Sequence, residues 1–249
     1  MTFTLRGTTR VTATPAILVS AALCLSACSD EGQSAPPPPK PSSSTAASPP
    51  PSYSPEKIKA ASLTPKEVGK DIRETQAAVE ALKDRQAPMC SLSGVELKGD
   101  PEIGVRQYAN SAQGSDEIRY AQLIARYDDG GAANESFQAL RSSARGCPPR
   151  RNVPAKKIRK NFTLFAHDDT WKVTEDTVAG WRRLRGTEQQ TYPASASKFN
   201  VLHFMYDYAV RGNLVIATVY WERTEPKKPA DPIGRRATEL LTKQLQKFG

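Results

Sequence analysis

Histidine is almost missing from this chain: His167 and His203 are the only two in 249 residues. Neither lies near a cysteine in sequence, and the four cysteines (Cys24, Cys28, Cys90 and Cys147) form no C-x-x-C pair. A metal site built from cysteine and histidine therefore has no supporting spacing. There is no G-x-S-x-G elbow for a nucleophilic serine, and Ser195-Ala196-Ser197-Lys198 fits S-x-x-K by spacing alone, with no S-D-N or K-T-G after it. Gly130-Gly131 precedes a helical stretch but lacks the lysine and strand of a phosphate loop. No cofactor motif stands out. Nor does any helix-turn-helix or RNA-binding aromatic pattern, so nucleic acid is not an expected partner in spite of the net charge of +9.

Charge is also missing between Val11 and Ala27, after Arg6 and Arg10. A basic start, a short apolar run from Ala16 to Leu25 and small residues at its end describe an export signal; the run is too short to span a bilayer. Leu25-Ser26-Ala27-Cys28 resembles the bacterial lipobox, in which the cysteine is acylated and the chain is cleaved before it. The competing reading is an ordinary secreted protein with an incidental cysteine. After cleavage that reading leaves Cys28, Cys90 and Cys147, an odd number. Acylation of Cys28 removes the odd cysteine and supplies more than one chain for anchoring. On this reading residues 1–27 are a lipoprotein signal, and the partner at Cys28 is the outer face of the cytoplasmic membrane.

Residues 28–56 hold almost nothing apolar. Pro36 to Pro39, Pro41, Pro49 to Pro51 and Pro55 alternate with Ser, Ala and Thr, a composition that favours extended polyproline segments and cannot offset its ordering entropy with a core. This is a disordered tether, about 3.1 Å long per extended residue.

Residues 57–249 have ordinary globular complexity and enough length for one core. Losing Arg6 and Arg10 with the signal lowers the charge from +9 to +7. The excess gathers at Arg145, Arg150, Arg151, Lys156, Lys157, Arg159 and Lys160, and again at Arg182, Arg183 and Arg185. On an exported protein such clusters suit an anionic envelope polymer or lipid, although a solvated basic face explains them too.

Local patterns predict the elements. Thr64-Pro65-x-Glu67 is a capping box with proline at the first helical position, and "DIRETQAAVEALKD" continues near helical spacing with Ile72, Ala78, Val79 and Leu82. "GVRQYAN" and "EIRYAQLIARY" read as paired strands, and "GGAANESFQALRSSARGC" as a helix ended by Gly146. "KNFTLFAHDDTWKVTEDT" reads as a hairpin turning at Asp168-Asp169, which puts His167 in a polar turn. "GWRRLRGTEQQTY" reads as a strand, and Trp171, Trp181 and Trp221 fall in strands where tryptophan is usually core. Two strong strands flank Arg211-Gly212-Asn213. A last helix, capped by Asp231 with Pro232 in its first turn, aligns Ile233, Ala237, Leu240, Leu241, Leu245 and Phe248. The fold class is α+β, a single mainly antiparallel sheet with helices packed on it.

Cys90 and Cys147 each fall at an element boundary. In an exported chain they are most simply a disulfide, worth about 4 kcal/mol from the chain entropy of the loop it closes; a reactive thiol or half of a metal site is the alternative. For a ligand cleft the sequence offers Trp181, Arg183 and Arg185, whose aromatic and guanidinium groups alternate in one stretch and would stack on and clamp an anion. An exposed basic strand is the plainer reading.

Together "SLTPKEVG", a cysteine before the first hairpin, a second in "GCPP", the strand "GNLVIATVYWE" and the closing helix resemble the PknH-like extracellular sensor domain over residues 58 to 248. That family occurs outside the membrane in some actinobacterial receptor kinases and in stand-alone lipoproteins. The resemblance implies an antiparallel α+β domain with a ligand cleft and no catalytic residues. It departs in having cysteines for one disulfide where the kinase domains carry two. The reading that follows is a monomeric, non-catalytic, lipid-anchored sensor or binding module. The alternatives are an envelope lipid or glycolipid carrier, which needs a deep apolar cavity, and an envelope hydrolase, which needs convergent titratable groups.

Overall fold

Ten consecutive residues, Val201 to Val210, are buried in one strand. A strand reads this way only when both faces of its sheet are covered, and the rest of the architecture supplies the covers. The computed structural model describes residues 51–249 except 77–78, 113–116 and 161, and the side chains of 158, 159 and 162 are likewise left aside. The expected signal, the expected tether up to residue 50, Cys28 and Ala78 lie outside the described residues. The chain divides into two units, 1–46 and 47–249. The second contains the three apolar clusters found among the described residues and the disulfide.

Helices α1 (Pro55–Ala61) and α2 (Pro65–Val68) come first, followed by strand β1 (Arg73–Thr75), helix α3 (Glu80–Lys83), strand β2 (Ala87–Pro88), a 3-10 turn at Cys90–Leu92 and strand β3 (Gly94–Val95). Strands β4 (Glu102–Ala109) and β5 (Arg119–Arg126) precede helix α4 (Gly130–Gly146), which leads to β6 (Arg150–Val153), β7 (Lys156–Arg159) and β8 (Phe162–Leu164). A meander of β9 (His167–Val178), β10 (Trp181–Thr191), β11 (Val201–Arg211) and β12 (Leu214–Thr224) ends in helix α5 (Asp231–Gln246). Eight strands form one antiparallel sheet in the order β1-β4-β5-β12-β11-β10-β9-β6, with β2–β3 and β7–β8 as separate pairs.

Helix α4 carries the chain across one face, from β5 to the β6 edge. Its Phe137 and Leu140 pack with Leu184, Tyr206, Tyr208, Leu123 and Val215. On the opposite face α5 lays Leu241 and Leu245 on Trp181 and Ile216, and Ile233, Ala237 and Leu240 on Tyr108, Tyr120 and Met205. All six apolar positions expected of α5 are buried, although its cap is Ala230 and Asp231 already belongs to the first turn.

Two glycines permit close approach. A Cβ on Gly186 would stand 2.2 Å from the Trp171 ring, which lies over that position and donates its indole N–H to the carbonyl of Ala144 (2.8 Å) at the end of α4. Gly212, at φ +55°, turns β11 into β12 with the carbonyl of Pro51 where a side chain would be.

Several expectations change. The folded part begins earlier than residue 57, because Tyr53 is buried between Trp181 and Phe248 and its backbone is clamped by Asn213, whose Oδ1 accepts from its N–H at 2.8 Å. The helix expected over 71–84 is an edge strand and one turn. Ile72 packs in the cluster under α5, but Val79, Ala81 and Leu82 pack with α4; the segment passes around the sheet edge, which one straight helix cannot do. Asp168-Asp169 is not a turn either. Strand β9 runs through both residues, which face β6, with Asp168 accepting from Asn152 (2.8 Å) and Asp169 from Arg151. The reversal comes at Ala179-Gly180, both left-handed.

The capping box ties the two ends of the unit together. Glu67 accepts from the backbone N–H (2.7 Å) and hydroxyl (2.9 Å) of Thr64, and from Lys247 beyond α5 (2.8 Å). Lys247, then Thr64, holds the Glu67 carboxyl down from the ordinary 4.5 to about 2. A depressed carboxyl pKa stabilises the fold above the unfolded value and loses that contribution as pH falls towards the folded value. Acidification from about 4.5 to about 2 is therefore expected to destabilise the wild type more steeply than Glu67→Gln in urea titrations across that range; parallel curves would show that the Lys247 link contributes nothing.

Candidate functional site

Cys90 and Cys147 are joined, with Cα atoms 6.3 Å apart, so the 3-10 turn is pinned to the end of α4. Ser91 and Leu92 sit there in left-handed backbone at φ +55° and +57°, a conformation that costs a non-glycine residue about 1 kcal/mol or more. The pin drives Ser91 into a polar cluster on the α4 face. Glu188, 1% exposed, accepts from the Ser91 N–H (2.7 Å), the Tyr206 hydroxyl (2.9 Å) and Gln190 (2.8 Å). Asp169 accepts from Arg151 Nη2 at 2.6 Å, and the Ser91 hydroxyl stands 3.2 Å from Glu188 and 3.3 Å from Asp169. Burial, then Glu188, pushes the Tyr206 phenol far up, so it remains a donor.

His167, expected in a polar turn, is a buried strand residue. Its Nδ1 meets the carbonyl of Phe165 (2.9 Å), its Nε2 stands 3.3 Å from Asp169, and its ring stacks on Tyr192 at 4.5 Å. A serine-triad hydrolase needs serine, base and orienting acid in that order. Here the Asp169 carboxylate lies between Ser91 and the imidazole, so the hydroxyl and the histidine do not meet as nucleophile and base, and the space beside them is about 20 Å³, room for about one water. Arg151, Ser91, Tyr206 and Gln190 occupy most of the acceptors in this cluster, and Asp169 Oδ1 is left beside the His167 ring.

The three residues expected to line a cleft lie on the other face, and the structure turns them inward. Trp181 is fully buried against Tyr53 (5.9 Å) and Phe248 (5.5 Å) and cannot stack on a ligand. Arg185 makes a fork to Asp207 at 2.7 and 2.6 Å and donates to the carbonyl of Gly234 in α5 (3.0 Å). Arg183 binds Asp176 (Nε–Oδ1 2.7 Å), approaches Asp207 at 3.6 Å and donates to Thr238 (3.2 Å). Burial works against the Arg183 charge, but Asp176 and Asp207 outweigh it and raise its pKa. These guanidiniums are already clamped by protein acids, neither free for an anion nor an exposed basic strand. Parity carries the missed signal: Trp181, Arg183 and Arg185 share one face by the period of two, so a core tryptophan implies inward arginines that need acids. His203 behaves as expected of a sheet residue, bonded to Thr224 (3.0 Å), and burial lowers its pKa against the opposing charge of Glu222.

Open space lies at the rims. A groove of about 650 Å³ between α1 and β4 has Ile58 and Ile124 on its apolar side and Lys59, Glu74 and Arg106 around them. A second, of about 630 Å³ along α5, is lined by Lys172, Thr187, Met205, Arg235 and Glu239, and Arg185 contributes to its wall. Among the described residues no group of His, Cys, Asp and Glu is placed to hold a metal ion.

No family model matches the chain, and none of the curated proteins resembles it in sequence. Among solved structures, the extracellular domain of PknH from Mycobacterium tuberculosis matches with a TM-score of 0.50 at 12% identity, covering 78% of this chain and 98% of that one. The two share a fold.

Asp207 is the group on which the α5 face turns. Removing one partner of a buried pair leaves the other's charge without compensation, which costs about 3–5 kcal/mol. Asp207→Ala is expected to lose about that much stability in urea denaturation, and Asp207→Leu with Arg185→Leu to recover most of it. A double variant as unstable as the single one would show that the carboxylate matters for reasons other than its pairing.

Proposed function

We propose that the chain is a non-catalytic binding or sensing module, held by acyl chains on Cys28 at the outer face of the cytoplasmic membrane. The observation that carries the binding reading is the distribution of space. Phe137, Leu140, Tyr206 and Tyr208 fill the layer under α4, and Trp181, Leu241, Leu245 and Phe248 the layer under α5. A carrier needs a deep dry cavity where these side chains stand. A hydrolase needs convergent reactive groups, and Ser91, Asp169 and Glu188 are spent on one another and on Arg151. What the domain offers is a partly polar groove between α1 and β4, of a size that suits a small ligand. The shared fold with an extracellular domain agrees with a module outside the membrane. Among the described residues no helix is long and apolar enough to cross a bilayer.

The anchor is supported by cysteine arithmetic. Cys90 and Cys147 consume each other, and cleavage after Ala27 would remove Cys24, so Cys28, following Leu25-Ser26-Ala27, is the cysteine left for acylation. Cells fed labelled palmitate are expected to label the wild type and not Cys28→Ser, which is released from membranes. Label in the variant, or unlabelled wild type, overturns the anchor. Native mass spectrometry of the 47–249 unit from its own host is expected to show no lipid in a one-to-one complex; a retained acyl lipid would favour the carrier.

A further inference from the structure

The cations between Arg145 and Lys160 do not act as one patch. Arg145 is drawn onto Glu175 and Arg151 onto Asp169, and both acids belong to β9. Beyond them the β7–β8 ribbon leaves the edge of the main sheet, with Lys156 opposite Leu164 and Lys157 opposite Thr163. No acid occurs from Gly146 to Ala166. Among the described residues Arg150, Lys156, Lys157 and Lys160 are exposed and take part in no ion pair.

At the foot of the ribbon stands Phe165, 52% exposed, the one large apolar side chain left in water among the described residues. Its backbone is not loose. The buried His167 ring, stacked on Tyr192, meets the Phe165 carbonyl at 2.9 Å, so the phenyl group is presented outward from a fixed base.

We propose that this ribbon docks on an anionic phospholipid surface, with Arg150, Lys156, Lys157 and Lys160 at the headgroups and Phe165 at the boundary of the acyl region. Each cation near such a surface raises partitioning about fivefold, and the effect falls within a Debye length as salt rises. The aromatic ring selects a bilayer over a soluble polyanion. A polymer would neutralise the lysines and leave the ring in water, whereas a membrane has an apolar boundary next to its charges. The contact does not depend on acylation. With an anchor present it becomes intramolecular, at the high effective concentration a short tether provides.

The 47–249 unit lacks Cys28 and the apolar run before it, so its binding to vesicles reports on the ribbon alone, and either reading can fail without the other. Co-sedimentation is expected with mixed phosphatidylcholine and phosphatidylglycerol vesicles, weakening as salt is raised, and not with phosphatidylcholine alone. Lys156→Gln with Lys157→Gln should lower partitioning about 25-fold, fivefold for each lysine. Phe165→Ser should lower it roughly five- to tenfold at unchanged charge. Circular dichroism matching the wild type confirms that both variants are folded. In Phe165→Trp the emission should shift to the blue on anionic vesicles and stay in place on soluble polyphosphate. Absence of binding to the anionic vesicles overturns the proposal. So does full binding by Phe165→Ser with no emission shift, which would identify a surface for polyanions.

Discussion

A carboxylate with no solvent exposure sits in the middle of the sheet, and the arrangement of the α5 face follows from it. Asp207 occupies a strand buried on both sides, where an unpaired charge would cost far more than any single apolar contact returns. Arg185 supplies a planar fork and Arg183 a second cation, itself held by Asp176. The remaining donors of both guanidiniums reach Gly234 and Thr238 of α5. The first two turns of the helix are therefore fixed by directional bonds as well as by its apolar stripe. Such a network adds little net stability compared with apolar residues of the same volume; what it adds is one permitted register of helix on sheet.

The opposite face meets the same difficulty with Glu188 and answers it with a covalent link. Two of the donors around that carboxylate, Tyr206 and Gln190, come from the sheet, but the Ser91 N–H arrives from a turn that Cys90 ties to Cys147 and that stands in left-handed backbone. One disulfide thus does two things: it closes a long loop and it delivers the donor that allows a buried acid on β10. Both faces spend their titratable groups on structure.

Much of this was legible in the residues. The paired strands β4 and β5, the strand β10, the two strong strands β11 and β12, the capping box at Thr64, the stripe of α5 and the pairing of Cys90 with Cys147 all report local geometry or simple arithmetic, and the structure agrees with each. The failures share one cause. Periodicity tells that a residue is buried, not against which layer, so Ile72 and Val79 looked like one helix face when they serve opposite sides of the sheet. In the same way Asp168 and Asp169 looked like a turn because acids are rare in strands, when a basic neighbour, β6, makes them welcome there. Arg183 and Arg185 looked available because their acid partner, Asp207, is about twenty residues away along the chain and becomes a neighbour only in the β10–β11 register.

Covering both faces of the sheet has a geometric consequence for what the module can do. Apart from the groove along α5, two open regions with distinct chemistry lie towards opposite ends of the strand order: the α1–β4 groove beside β1, and the basic ribbon after β6. Strands about 4.8 Å apart put roughly 30 Å between those edges. A domain resting on lipid by its ribbon would hold the groove away from the bilayer, open to the envelope, and the rigid sheet between them would keep that separation constant. Anchoring and recognition then need not compete for surface.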